Sequence, residues 1–461
     1  MATESTLPGV YIEEDATPSI SVSQGATAVP LFIASFQPTD PASAGKIIRV
    51  SSWLDFSKKF VAVTANTAKV TVESTAPAPP PAKEDSKTRK RANNTRSITG
   101  PDNFTYNIAD TQVVIPGELL ALQLYFQNGG GACYICALAD AANATQLEDL
   151  IGEAQDITLL VCPSPDADYR EAVYTALLSS LDKNKGYFLL ADAVYTGGKV
   201  QAPDGIGASP HIAVYYPSLV VSEKPTIAEK DIAVEGYEDA AGSVVTNLAE
   251  LRSIFPDLAE AIWAKVASAD ALKSYVSVSP SAPVAGIYCK TDLERGVWKA
   301  PANAVINGVV DVSTRVTDDE QGTLNDAGIN AIRYFSDRGI LVWGARTLQN
   351  DDSWGSIPVR RLFDAAERDI KKALRPMIFE PNAQPTWKRV QAAVESYLNR
   401  LWRDGALAGD RPEEAYFVLI GKDITMTDDD IAQGHMIVQI GMAPVYPAEF
   451  IILQFTQNMQ K

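Results

Sequence analysis

The sequence predicts a multi-domain chain that combines α/β and α+β architecture and carries extended strand arms at both ends. Three observations predict this. Between residues 116 and 216, short apolar runs alternate with amphipathic segments of helical length, the pattern of a mostly parallel sheet with helical crossovers. Beyond residue 357 two long amphipathic helices and a few short strands replace that alternation. At each end of the chain lies a short run of strand character with no nearby partner in sequence.

The elements follow in order. Val10, Tyr11 and Ile12, then Ile20 and Val22, form two alternating runs separated by acids and Pro18, an extended N-terminal arm. Residues 29–34 are continuously apolar, a buried strand. Ser51 or Ser52 suits the cap of a helix through Trp53, Phe56 and Phe60. Residues 62–115 read as an exposed insertion, because residues 76–81 are polyproline-like and residues 83–96 carry six bases against two acids. Residues 116–127 form a helix that Gly129, Gly130 and Gly131 end. Strands are expected at 133–138, 157–161, 187–191 and 211–216, with helices at 146–153 and 169–181. Residues 223–265 hold nine acids against four bases and read as a second, solvated insertion with a helix near its end. A short helix at 325–335 and a strand at 339–343 follow.

Of the two long helices, the first begins at Pro358 with a stripe of Val359, Leu362, Phe363, Ala366, Ile370, Ala373 and Leu374. The second carries Val390, Ala393, Val394, Tyr397, Leu398, Leu401 and Trp402, with Thr386 as its cap and Gly405 at its end. Strands at 415–420, 436–440 and 450–455 close the chain. In the last, Phe450 and Ile452 share one face while Ile451, Leu453 and Phe455 share the other. A strand apolar on both faces wants burial inside a sheet, its own or a neighbour's.

Charge and composition exclude several classes. Asp and Glu total 57 against 40 Lys and Arg, a net −17, which opposes general binding to nucleic acid or to an anionic membrane surface. No run approaches the ~18 apolar residues of a membrane span, and the first residues lack signal-peptide character, so cytosolic synthesis is expected. Four cysteines are too few for a disulfide framework. Cys133 and Cys136 have redox spacing but lie in a strand, where their side chains point to opposite faces. The Gly129–Gly131 run follows a helix and precedes a strand, the reverse of a phosphate loop. The two histidines, His211 and His435, read as structural, and Asp428, Asp429 and Asp430 suit the first turn of a helix. No catalytic constellation, metal-ligand set or cofactor site emerges. An α/β enzyme and a soluble binding module stand as the alternatives to a structural protein.

Longer motifs point to a family. Lys290-Thr-Asp-Leu-Glu-Arg-Gly-Val-Trp-Lys-Ala-Pro-Ala-Asn303 is followed by Leu324-Asn-Asp-Ala-Gly-Ile-Asn-Ala-Ile-Arg333 and Gly339-Ile-Leu-Val-Trp-Gly-Ala-Arg-Thr-Leu348. Phe379-Glu-Pro-Asn382 and Ala443-Pro-Val-Tyr-Pro-Ala-Glu-Phe450 complete the series, with Pro8-Gly-Val-Tyr-Ile-Glu-Glu14 upstream. In these the chain resembles the contractile tail sheath proteins of phages and injection systems, closest to the antifeeding-prophage type, with a true phage tail sheath as the alternative.

The resemblance implies a non-enzymatic subunit of stacked six-fold rings that contract around an inner tube and drive it through a target envelope. Its partners would be further copies, the tube protein, baseplate and terminator or cap proteins, and other sheath-type subunits. It would be made in the bacterial cytoplasm and end in a released extracellular particle or virion tail. It divides the chain into an arm (1–25), an outer α/β domain (26–289), a sheath core domain (290–444) and a C-terminal arm (445–461). Val10, Tyr11, Ile12, Ile20, Val22, Phe450, Ile452, Leu453 and Phe455 would pair with neighbouring subunits. The helix over 358–375 carries six bases against three acids. Its Arg360, Arg361, Arg368, Lys371, Lys372 and Arg375 are expected to face outward onto the tube. The second helix offers a similar face at Lys388, Arg389, Arg400 and Arg403.

Overall fold

The computed structural model describes residues 21–60, 67–76, 98–100, 103–114, 117–154, 156–181, 186–222, 227–268, 275–349, 351 and 353–449. Two compact units divide the chain: residues 26–364 with those from 446 on, and residues 365–445 with those up to 25.

The first unit is organised by a nine-stranded sheet. In spatial order its strands are Ala304–Val305, Gly339–Val342, Ile329–Phe335, Ile212–Tyr216, Phe188–Asp192, Leu159–Val161, Pro30–Ala34, Cys133–Ala137 and Ile47–Val50. The central pairings are parallel, among them Leu31 with Leu160 and Phe32 with Ile135, and the outer ones antiparallel. Central strands such as Phe-Leu-Leu-Ala-Asp are apolar at nearly every position because both faces are covered. Phe32, Ile135, Leu190 and Tyr215 pack beneath the helices Gly117–Gln127 and Ser281–Arg295, while Leu31, Cys136, Leu189 and Val214 face Leu147–Glu153 and Ala167–Leu181. Cys133 and Cys136 fall on opposite faces, as alternation requires. At the crossing of Gly117–Gln127 with Ser281–Arg295, a Cβ on Gly286 would lie 2.5 Å from the Tyr125 carbonyl oxygen, so only glycine permits that approach.

The helix expected at 325–335 is instead the strand Ile329–Phe335. The helix lies upstream at Asp318–Asp326, opened by a capping box in which the Thr317 N–H donates to Glu320 Oε2 (2.8 Å) and the Glu320 N–H to Thr317 Oγ1 (3.3 Å). Gly328, at φ +70°, turns the chain into the strand. Residues 290–364 thus supply three strands to the same sheet as residues 26–289, and the compact unit runs through that sequence boundary.

Both apparent insertions also depart from expectation. Strands Thr67–Thr75, Ile98–Thr99, Thr105–Val114 and Ile232–Glu235 form a second sheet, on which helices Leu248–Ile254 and Pro256–Ala267 pack. Val70, Val72, Tyr106, Ile232, Leu251 and Ile262 form its core, and Tyr106 stacks on Tyr237 at 5.2 Å. The described residues of 67–114 and residues 227–268 are therefore two halves of one folded module. The acids that suggested a solvated segment occupy its outer face, as Glu235 does beside Lys69. The polyproline run and the basic stretch fall in residues 77–97, outside the described residues.

In the second unit the helix Gln384–Arg403 buries Val390, Ala393, Val394, Tyr397, Leu398 and Leu401. Its N-cap is Ala383, with Pro385 in the first turn. Thr386 lies buried inside the helix rather than capping it. Gly405, at φ +83°, follows its end as expected. Tyr416–Leu419 pairs antiparallel with Gln439–Met442 as a two-stranded sheet, and Asp428–Ala432 opens with a capping box between Thr427 and Asp430.

Candidate assembly surfaces

In a doubly wound sheet a ligand would lie at the carboxyl ends of the parallel strands. Here the chain fills that place with its own helix. Asp192, the last residue of its strand, accepts the Ser281 N–H (2.9 Å) and hydroxyl (3.0 Å) at the start of Ser281–Arg295. Burial pushes its carboxyl above the usual range, against the opposing pull of Arg170 and the serine donors. Desolvation likewise raises the Cys162 thiol to about 12 and the Cys136 and Cys289 thiols to about 11. These are thiols placed to pack rather than to react.

The basic helix, Ile357–Leu374, and Arg375 just after it split the six cations into two classes. Arg360 and Arg361 do not face outward; both are buried. Arg361 grips Asp292 with a two-pronged contact (3.0 and 2.6 Å), donates to the Thr27 carbonyl (3.1 Å) and lies over the Tyr288 ring. Arg360 pairs with Asp364 at 2.8 Å and stacks on Trp354, and His211 approaches the same carboxylate at 3.3 Å. The two arginines therefore leave the expected tube-facing set. An isolated guanidinium cannot be buried, but acids from its own helix and from Ser281–Arg295 were available to receive these. Asp364 thus pairs one turn back along its own helix, with Arg360.

Asp369 is buried too, accepting the Tyr397 hydroxyl (3.0 Å) and the Gly25 N–H (3.1 Å). What remains exposed on this helix and the turn after it is Lys371, Lys372 and Arg375 against Glu367, a net +2, with Arg368 half-buried beside them. On the next helix Lys388, Arg400 and Arg403 are exposed and Arg389 is partly so, paired with Glu380.

Of the arm residues, Val10, Tyr11, Ile12, Ile20, Phe450, Ile452, Leu453 and Phe455 lie outside the described residues. Val22 is described, and it is not free for a neighbour. Its side chain is buried, and its carbonyl accepts a hydrogen bond from Arg400 at 2.6 Å. At the other end Arg346 holds Glu449 at 2.8 Å, fixing the chain just before the expected C-terminal strand. Both residues stand in the quoted motifs, but no local signal in the sequence pairs them. Among the described residues the Tyr416–Leu419/Gln439–Met442 sheet has no third strand, and Phe417 and Leu419 on it are exposed.

A family model described as the phage tail sheath protein central domain matches residues 257–348, and one described as the phage tail sheath C-terminal domain matches residues 349–458. A chain of the contracted helical sheath of the anti-feeding prophage is 48% identical, with a TM-score of 0.70 over 98% of this chain and 100% of that one. A sheath chain of the PVC extracellular contractile injection system, also contracted, is 34% identical, with a TM-score of 0.67 over 99% of both. A prophage major tail sheath protein of Pseudomonas aeruginosa (strain UCBPP-PA14) is 27% identical over 46% of this chain and 53% of its own length. The match thus spans about half of that curated relative. The chain belongs to the tail sheath family, a class of structural proteins. Within it, the chain is a contractile-sheath subunit similar to those of the anti-feeding prophage and PVC systems.

Proposed function

We propose that this subunit forms stacked six-fold rings around an inner tube in an extracellular contractile injection particle, and that its arms tie neighbouring copies together by strand addition. Likeness to anti-feeding prophage and PVC sheath chains over nearly the whole length favours an injection particle over a virion tail. The observation that carries the strand-exchange reading is the two-stranded sheet. A pair of strands alone is marginal, and its exposed Phe417 and Leu419 offer the side-chain register that an added strand would read. The arm sequences have the apolar patterning an added strand would need, and Glu449 and Val22 hold the chain beside each arm. The exposed Lys371, Lys372 and Arg375, with half-buried Arg368 beside them, would then steer the subunit onto an acidic tube and set its register. Neither action needs a nucleotide, since the work of contraction would be stored in the lattice. Removing residues 1–20, which leaves buried Val22 in place, should yield a folded subunit that forms no sheath. Normal-length contractile tubes by electron microscopy of that truncation would refute the strand-exchange reading.

A further inference from the structure

The turn that joins the two long helices presents an apolar tip. Phe379 is 101% exposed and Ile378 is 62% exposed, while Met377 beside them is buried. Phe379 also sits at φ +75°, in the left-handed region that a bulky non-glycine residue adopts only when its surroundings impose it. Hydrogen bonds hold those surroundings on both sides. The Ile378 N–H donates to the Arg375 carbonyl and the Glu380 N–H to the Met377 carbonyl. Asn382 then clamps the far side, accepting the Trp387 indole N–H (2.7 Å) and donating to the His435 carbonyl (2.9 Å). Glu380 is held by Arg389. The ring is therefore displayed on a fixed pedestal. Lys371, Lys372 and Arg375, all exposed, precede it within the last helical turn and the turn after, and exposed Lys388 follows it. An aromatic centre within a charged rim is the composition of a binding hot spot. A cationic rim on a chain of net −17 fits an acidic partner.

We propose that Phe379, supported by Ile378, is the apolar anchor by which the subunit seats in a socket on the acidic surface of the inner tube. This rests on the tube-contact reading of the basic helix above and names the residue that would give that contact its salt-independent part.

The test uses whole particles assembled from the sheath with its own tube and baseplate proteins. With p-benzoylphenylalanine in place of Phe379, ultraviolet irradiation of extended particles should yield a sheath–tube adduct by mass spectrometry. A sheath–sheath adduct, or none, overturns the proposal. Phe379→Gly should keep or raise the melting temperature of the free subunit, because glycine accepts the positive φ, yet lower tube-bound sheath at least tenfold, with Phe379→Tyr restoring it. Unchanged tube binding by Phe379→Gly overturns the anchor. Arg368→Glu/Lys371→Glu/Lys372→Glu separates the two readings: normal assembly there with loss in Phe379→Gly would reject the charged face and keep the anchor.

Discussion

Truncating Arg361 to alanine should destabilise the first unit severely rather than weaken a surface contact. The guanidinium and the Asp292 carboxylate expose only 3% and 4% of their side chains, and the carboxylate also accepts the Thr27 hydroxyl at 2.6 Å. Burial alone would weaken the guanidinium's hold on its proton, but the charge and hydrogen bonds of Asp292 more than reverse that. Arg361→Ala leaves an unpaired buried carboxylate, which costs roughly 3–5 kcal/mol. With about 2.1 cal/mol/K of unfolding entropy per residue over a unit of this size, the midpoint should fall by roughly 4–7 °C. Differential scanning calorimetry on the purified subunit reads this directly. Arg361→Lys should recover only part of the loss, because an ammonium cannot reproduce the two-pronged geometry. The double variant Arg361→Met/Asp292→Leu should be more stable than Arg361→Ala, since it removes both charges together. A midpoint for Arg361→Ala within a degree of the parent would refute the reasoning and return Arg361 to the surface.

Two further expectations follow from buried and capping groups. Cys133, Cys136 and Cys162 are fully buried, with thiol pKa values raised by desolvation, so at pH 8 they should resist an aromatic disulfide reagent until denaturant is added; rapid native labelling of any of them would contradict the packing. The Glu320 carboxyl is lowered from 4.5, first by the Thr317 N–H, so its capping contribution is present above pH 4.5 and lost as pH falls through the depressed folded value. Protection factors for amide exchange at the start of Asp318–Asp326 should fall below that pH, and Glu320→Gln should flatten the dependence.

Much of the fold was legible because local chemistry dictates it. The period of Val390, Val394, Tyr397 and Leu401 admits only a helix, and the apolar runs at 157–161 and 187–191 only buried strands. Errors arose where local signals compete. Ile329-Asn-Ala-Ile-Arg-Tyr-Phe335 is apolar at spacings that suit either a helix or a strand covered on both faces. The Thr317/Glu320 capping box, which places the helix upstream, was the overlooked clue. In the module, the alternation of Ala68, Val70 and Val72 was masked by the proline and lysine tract after it, and Ile232 and Val234 by surrounding acids. The basic face failed in part for a different reason. Nothing local tells Arg361 that Asp292, 69 positions upstream, will lie beside it. Phe379 was in view as part of a motif, but its exposure and backbone conformation are products of the fold.

The module assembled from residues 67–114 and 227–268 has a consequence for how the protein is made. The strand Ile232–Glu235 lies alongside Thr67–Thr75, with Ile232 opposite Ala68. The ribosome must therefore finish the far half before the near half has anything to cover it. At ~5–20 residues per second, the hairpin of Thr67–Thr75 with Thr105–Val114 waits roughly 8–30 s for the helix Pro256–Ala267. Through that interval Val70, Val72, Tyr106 and Ile108, which the later half covers in the folded module, would face solvent on a paired ribbon, while strands of the large sheet emerge behind it. A protein destined to polymerise thus spends its synthesis with an uncovered β surface, and slowing translation between residues 115 and 227 lengthens the exposure. Nascent chains halted in that window are where a chaperone that recognises apolar strands would bind.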